Sequence, residues 1–225
     1  MRMLLYNCEK NVLELDGKIT VLEVENPKVF NGILSDFYVS TYPYNEIAVE
    51  SDKGLLLAKD IFCLIDLYNF DLQNKLIISK LYKYLDKYIT ENTMLRLKYD
   101  QAFREFSNAI HMLLSDIDVD FDFQQTNEVK NALSLINLMI NVGDNAIVDR
   151  LLQFIKISSE MNLYKIIVLV NAKAFFTSEE LKILYKQSLY YKIPLILLEN
   201  HNCDNLLENE QKLFVDENFC DIIIM

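Results

Sequence analysis

Four aspartates alternate with apolar residues in Asp116-Ile-Asp118-Val-Asp120-Phe-Asp122-Phe. In an extended chain, a period of two puts the carboxylates on one edge and Ile117, Val119, Phe121 and Phe123 on the other. Like charges at that spacing repel, so either their pKa values rise or a cation neutralises them. Ca²⁺ suits the pattern because it takes several carboxylate oxygens in flexible geometry, and Glu128 offers a further oxygen nearby. The segment is not an EF-hand loop. Counted from Asp116, Phe121 stands at the turn-glycine position and Asn127 replaces the closing glutamate. A solvated acidic edge that discourages sheet aggregation is the competing reading.

The basic residues form a second pattern. Lys80, Lys83 and Lys87 follow at spacings of three and four, opposite Leu81, Leu85 and Tyr88, and Lys53 and Lys59 flank the start of the preceding apolar stretch. Either a solvated helix face or a surface for phosphates fits this spacing. The tyrosines are scattered rather than interleaved with the lysines as stacking platforms, so any DNA contact is expected to be to the backbone and independent of sequence. Catalytic patterns are missing. The two histidines, His111 and His201, have no evident acid-base partners, and neither GxSxG nor HExxH occurs. Glu25 to Asn31, where a nucleotide-binding protein would carry its phosphate loop, contains no GxxxxGK[ST]. Asn171 ends the strand that would carry a magnesium-binding acid in such a protein, but it is uncharged.

Bulk composition frames these patterns. The chain has 225 residues, 52% of them hydrophobic, with four Gly and three Pro, which allows a sizeable core and disfavours long flexible linkers. Its apolar runs, such as Ile166 to Val170, are too short to span a bilayer, and Glu9 and Glu14 interrupt the first fifteen residues, so a cytoplasmic protein without membrane contact is expected. Cys8, Cys63, Cys203 and Cys220 lack metal-binding spacing and read as reduced core thiols. The formal charge of −11 argues against nucleic acid as a partner unless basic residues are segregated, because a phosphate responds to potential within roughly 8–10 Å.

The elements that must hold these residues change character along the chain. Met3 to Tyr6, Val12 to Leu15 and Ile19 to Val24 read as strands, with Asp16-Gly17 a hairpin signal between the last two. Asn26-Pro27 then opens a helix, and Glu46 to Glu50 reads as another strand. From 55 to 142 a period near 3.6 predicts helices through Leu56, Ile61, Leu64, Ile65 and Tyr68, through Leu76 to Tyr88, and through Leu95 to Leu114. Past the acidic run, a further helix starts near Val129 with Thr126 as its cap and stops near Gly143. Ala146 to Met161 and Ser178 to Tyr190 read as helices, and Tyr164 to Val170, Pro194 to Leu198 and Asp221 to Met225 as buried strands, in parallel arrangement. The prediction is an α/β protein: a discontinuous α/β domain, 1–54 with 143–225, interrupted by an α-helical domain at 55–142 that carries the acidic segment 116–128.

This order resembles a known family. An N-terminal run of strands, a helical insertion after residue 54, Asp118-Val-Asp-Phe-Asp122, Lys165-Ile-Ile-Val-Leu-Val-Asn171 with Phe175-Phe-Thr-Ser-Glu-Glu180, and Phe214-Val-Asp-Glu-Asn-Phe-Cys-Asp-Ile-Ile223 are together similar to the adaptation-specific proteins of type II-A CRISPR systems. The resemblance covers essentially the whole chain. It implies a non-enzymatic homotetrameric ring with α/β heads, built on a degenerate nucleotide-binding-like sheet, and helical legs. Such a ring holds double-stranded DNA ends in a lysine-lined channel, is stabilised by Ca²⁺, and works with the integrase pair and the effector nuclease in spacer acquisition. Carried over to this sequence, the calcium ligands are Asp118, Asp120, Asp122 and Glu128, and the DNA-facing candidates are Lys53, Lys59, Lys80, Lys83, Lys87 and Lys130. A calcium-regulated protein-interaction module is the alternative, and a metal-dependent NTPase or nuclease is a third that lacks a phosphate loop or catalytic base.

Overall fold

The computed structural model describes residues 1–6, 12–38, 46–117, 119, 127–141, 146–201, 206–217 and 221–224. In chain order the elements are β1 (Arg2–Leu5), β2 (Val12–Glu14), β3 (Ile19–Val24), α1 (Pro27–Tyr38), β4 (Ile47–Ser51), β5 (Gly54–Leu55), β6 (Ile61–Leu64), α2 (Lys75–Glu91) and α3 (Thr93–Ser115). They continue with α4 (Val129–Leu135), α5 (Ile147–Glu160), β7 (Ile166–Val170), α6 (Ser178–Tyr191), β8 (Leu195–Glu199), β9 (Glu210–Val215) and β10 (Asp221–Ile224). Two compact units emerge: Met1–Leu72 with Val142–Met225, and Gln73–Asn141.

The first unit is α/β and holds two sheets. Its six-stranded sheet runs β10-β9-β3-β8-β7-β6, with β10 antiparallel to β9 and the other neighbours parallel. A four-stranded antiparallel sheet runs β2-β1-β4-β5. Strands β3, β7 and β8 are buried at every residue, because elements cover both sheet faces, and this explains their unbroken apolar runs. On one face Leu22, Val24, Val168, Val170, Ile196 and Leu198 meet Val29, Phe30, Ile33 and Phe37 of α1, together with Met3, Ile47 and Val49 of the smaller sheet. Opposite, Phe62 of β6 lies 4.3 Å from Phe154 of α5 and 5.1 Å from Tyr164 between ring centroids.

Two expectations fail in this unit. Gly17 does turn the chain, at φ 78°, but Asp16-Gly17 is no hairpin: β2 pairs with β1 while β3 enters the larger sheet. Burial separates the two strands, since β2 alternates exposed and buried residues as a one-sided antiparallel strand does, and β3 is buried throughout. The predicted helix through Leu56 to Tyr68 is replaced by β5, a short turn of 3₁₀ helix and β6, which pairs Ile61 with Ile166 and Leu64 with Leu169. The 3,4 spacing of Ile61, Leu64, Ile65 and Tyr68 is a coincidence: Ile61 and Leu64 are the buried ends of a four-residue edge strand, and Ile65 and Tyr68 are exposed in the turn after it. The sheet unit therefore extends to Leu72, and the helical unit starts at Gln73 rather than at 55.

The helical unit is built on α2, α3 and α4. Asn92 closes α2 and opens α3, its side chain accepting the Leu95 N–H at 3.1 Å, so two long helices meet at one residue. Gln73 Nε2 donates to the Ile140 carbonyl at 2.5 Å, and the Tyr82 hydroxyl donates to the carbonyl of Leu133 at 3.3 Å. Helix α4 stops at Leu135, well before Gly143, because Asn137 turns left-handed at φ 49°. Glu128 occupies its N-cap position; Thr126, the expected cap, lies outside the described residues.

Candidate nucleic-acid interface and metal centre

The connection after β3 has spent the backbone groups that a phosphate loop would offer. Glu25 N–H donates to the Val215 carbonyl at 3.0 Å, and Asn26 Oδ1 accepts the N–H of Lys28 at 2.9 Å and of Val29 at 3.3 Å. Helix α1 is therefore capped by its own sequence rather than open to an anion. Gly32 has a packing reason: a Cβ there would lie 2.6 Å from Glu46 Cγ. Asp36 fixes the same approach by accepting the N–H of Glu46 at 2.7 Å and of Ile47 at 3.0 Å. At the end of β7, Asn171 adopts φ 54° and its Oδ1 accepts the Asn200 N–H at 3.1 Å, joining the ends of β7 and β8. The residue in the magnesium-acid position is thus an inter-strand tie.

The structure divides the candidate lysines between the units. Lys53, in the β4–β5 turn, and Lys59, in the 3₁₀ turn before β6, are exposed on the sheet unit. Lys83 and Lys87 are exposed on α2, Lys80 is half-buried there, and Lys130 is exposed on α4. Lys87 pairs with Glu91 at 3.7 Å, an exposed contact that leaves its charge accessible. Lys130 also lines a groove of about 350 Å³ with Lys75, Tyr82 and Asn137. Lys75 was not among the sequence candidates; its spacing of five from Lys80 hid it. Charge is segregated: α2 carries Lys75, Lys80, Lys83 and Lys87 against Asp86 and Glu91, a net of 4 − 2 = +2 in a chain of −11.

Of the calcium candidates, Asp118, Asp120 and Asp122 lie outside the described residues. The described start of the ladder is not extended. Asp116 caps α3 with helical backbone, φ −83° and ψ −3°, and Ile117 N–H returns to the Leu114 carbonyl at 3.1 Å. Glu128 is exposed and makes no side-chain cap bond to α4. Its neighbour Asn127 is anchored on α3, where Nδ2 donates to Asp100 Oδ1 at 2.8 Å. That bond, followed by Arg96 at 3.1 Å, holds the Asp100 carboxyl below its ordinary range. Asn127 Oδ1 is buried and has no hydrogen-bond donor. Among the described residues, no group of three or more acidic, Cys or His side chains is gathered to hold a metal.

Sequence reasoning missed a buried charge cluster in the sheet unit. Glu23 of β3 and Glu199 of β8 stand opposite one another in the parallel register, and Glu210 opens β9; all three are buried. Lys212 Nζ reaches Glu23 Oε2 at 2.6 Å and Lys173 Nζ reaches Glu210 Oε2 at 2.9 Å, while the Tyr185 hydroxyl donates to Glu210 Oε1 at 2.5 Å. Burial, opposed by the Lys173 backbone bond and charge, pushes the Glu199 carboxyl up to about 7. Only the pairing across strands gives the cluster away, and a linear sequence does not display it. The other predicted groups are plainer. His111 is exposed on α3, and burial lifts the Cys63 thiol to about 12, which keeps it protonated and unreactive. No helix among the described residues is long and apolar enough to cross a membrane.

Comparison with known proteins gives one assignment. No curated protein matches the chain. The model of a family described as CRISPR-associated protein (Cas_Csn2) matches residues 43–219, which takes in β4 to β9 of the sheet unit and all of the helical unit. With well over half its length matched, the chain belongs to the Cas_Csn2 family of type II-A CRISPR-associated proteins.

Proposed function

We propose that this protein is a non-catalytic, calcium-stabilised ring of identical subunits, a homotetramer by the family resemblance, that binds the ends of double-stranded DNA without sequence preference during spacer acquisition. It would act in the cytoplasm beside the integrase pair and the effector nuclease. The observation that carries the DNA reading is the charge segregation on α2: Lys83 and Lys87 face solvent on a helix of net +2 in a chain of −11. Closure of several copies around a duplex multiplies each lysine by the subunit number, and lysine-to-phosphate contacts carry no base information. Lys53, Lys59, Lys80 and Lys130 complete the proposed set.

Assembly has independent support from unsatisfied apolar surface. Leu76, Met94, Leu97, Phe106, Met112 and Leu113 on α2 and α3 are each more than half exposed, an unusual load for a small helical unit standing alone. Calcium fits the donor chemistry near α4. Asp118, Asp120, Asp122 and Glu128 would hold it, and Asn127 Oδ1, a buried acceptor without a donor, is an amide oxygen of the kind calcium takes. The ion would supply positive charge to a run of like charges and tie the segment before α4 to α3. Lack of turnover is supported by the spent backbone groups after β3 and by Asn171 at the end of β7.

The decisive experiment combines light scattering, with and without Ca²⁺, and a gel assay of linear duplex against a covalently closed circle of the same sequence. The reading expects a larger calcium-bound assembly that retains linear DNA in preference to the circle. Calcium-dependent assembly with no DNA binding at any salt concentration would instead favour the protein-interaction alternative.

A further inference from the structure

The cluster on β3, β8 and β9 is one cation short. Its acids are Glu23, Glu199 and Glu210, with side chains 1%, 0% and 0% exposed, and its lysines are Lys173 and Lys212. Each lysine is committed: Lys212 Nζ to Glu23 and Lys173 Nζ to Glu210, which also accepts from Tyr185 and from the Leu207 N–H at 2.8 Å. What remains for Glu199 is backbone N–H: that of Lys173, which donates to Oε1 at 3.0 Å, and that of Ala172. Glu199 Oε2 is buried without a hydrogen bond, and His201 Nδ1 stands 3.5 Å from it on a side chain 41% exposed.

We infer that Glu199 and His201 share a single proton that clasps the turn after β7 to the end of β8, and that the clasp opens when the proton is lost. The groups facing Glu199 decide this. Glu23 lies directly across the register and Glu210 adds a second negative charge; the Lys173 charge also reaches Glu199, but its Nζ is bonded to Glu210, Lys212 and Tyr185 are bonded to Glu23 and Glu210, and among the described side chains it is the His201 ring that stands beside the unbonded Oε2. With the proton on Glu199, Oε2–H points at an accepting Nδ1; with it on His201, Nδ1–H points at Oε2. Either form carries no net charge into the buried site beyond what the partners neutralise. Once the proton is gone, a bare carboxylate sits in apolar surroundings beside two others. It gains by turning out to water, which breaks its bond from Lys173 N–H. The tie between Asn171 and Asn200 is part of the same turn, so release loosens the carboxyl ends of β7 and β8 together. In open parallel sheets that edge is where ligands and partners sit, so proton loss would soften a surface positioned for contact.

Burial raises the Glu199 carboxyl to about 7, which places the transition within ordinary buffers. The test is amide hydrogen exchange of the full-length protein from pH 6 to pH 8.5, corrected for intrinsic exchange. Protection of the Lys173 amide should fall by up to about tenfold per pH unit above the transition, while Val168 in the middle of β7 stays constant. In Glu199→Gln, which has no proton to lose, the Lys173 fall should vanish. A Lys173 response unchanged by Glu199→Gln would overturn the clasp. If that variant does not fold, carbon NMR of the wild-type side chains decides: the signals of the Glu199 carboxyl and of the His201 ring should change together in one step. Separate midpoints, with Glu199 in the ordinary carboxylate range, refute the shared proton.

Discussion

The sheet unit and the helical unit use the same residue types in opposite ways. In the sheet unit, Glu23, Glu210 and Lys212 are buried, Lys173 is half-buried, the lysines pair with the two glutamates, and β3, β7 and β8 are covered on both faces. In the helical unit, Lys83, Lys87 and Glu128 face solvent, and beneath them Ile77, Leu81 and Val129 are the fully buried apolar residues. The first unit keeps this set of ion pairs inside, while the second turns its charges outward. Buried charge in the first therefore bears on stability, whereas exposed charge, on α2 and α4 and at Lys53 and Lys59 of the sheet unit, bears on binding.

The sharpest way to break that contrast is to remove one cation from each unit. Lys212→Met strands Glu23 in a site 1% exposed and should cost about 3–5 kcal/mol in urea unfolding. Pairing it with Glu23→Gln should restore much of the loss, since removing both charges leaves nothing uncompensated. Lys83→Met, on the exposed face of α2, should change stability by less than about 0.5 kcal/mol. Equal losses from Lys212 and Lys83 would end the comparison.

Acidity discriminates the units next. Glu199 has a folded pKa raised to about 7 from 4.5, so above 4.5 the unfolded chain binds fewer protons than the folded one. Its stabilisation is complete below pH 4.5 and is lost as the pH climbs through 7, roughly 3 kcal/mol in all for a group with no side-chain exposure. Thermal melting of Glu199→Gln should be flatter than wild type across that window. Calcium should act on the helical unit in turn. At an ion concentration 100 times its Kd, stabilisation is about 2.7 kcal/mol, so a chelator should lower the Tm, with Ca²⁺ restoring it better than Mg²⁺. Changing Asp120 and Asp122 together to Asn should abolish the response, and identical melting in chelator and in calcium would leave the acidic-edge reading.

Smaller in free energy is the loss of DNA affinity when Lys80, Lys83 and Lys87 are all changed to Glu. Binding to a linear duplex should weaken by about tenfold or more near 0.15 M salt, and the slope of affinity against salt should drop by about one for each lysine that meets a phosphate. Circular dichroism should stay unchanged. Unaltered affinity would move the interface away from α2.

How far the sequence revealed these units follows the same line. Strands β7 and β8 were legible because two-sided burial writes itself as Ile-Ile-Val-Leu-Val and Leu-Ile-Leu-Leu. Helix α2 was legible because burial of Ile77 and Leu81 on one side leaves a 3.6 period; α3 shows the period too, although its one buried residue is Ser107. Strand β9 was missed as an element because Glu210, Gln211 and Lys212 look exposed in sequence, yet each is buried and bonded: Gln211 Nε2, for instance, donates to Thr20 Oγ1 at 2.9 Å. Four asparagines and Lys192 take the left-handed turns that glycine usually marks, so in a chain with four glycines much turn punctuation was invisible. Of the candidate site, the residue types were readable, and Lys83 and Lys87 are exposed as their helix face predicts, whereas Lys80 on the same face is half-buried. The balance of charges around Glu199 was not, because it exists only across β3, β8 and β9.

The least costly change should be the most telling about assembly. Met112 and Leu113 are 72% and 65% exposed near the end of α3, so in a lone chain replacing both by serine removes little buried area and should leave unfolding within about 0.5 kcal/mol of wild type. If that surface is covered by another copy, the substitution removes apolar contact from the interface instead. The apparent mass should then fall at concentrations where wild type is assembled, and the Tm should become less dependent on protein concentration. Phe154→Ser in the sheet unit, where the ring is wholly buried, should do the reverse and unfold the subunit without a specific effect on assembly. Unchanged mass for the Met112 and Leu113 double variant would remove that end of α3 from any interface and leave Leu76, Met94, Leu97 and Phe106 as the surface to test.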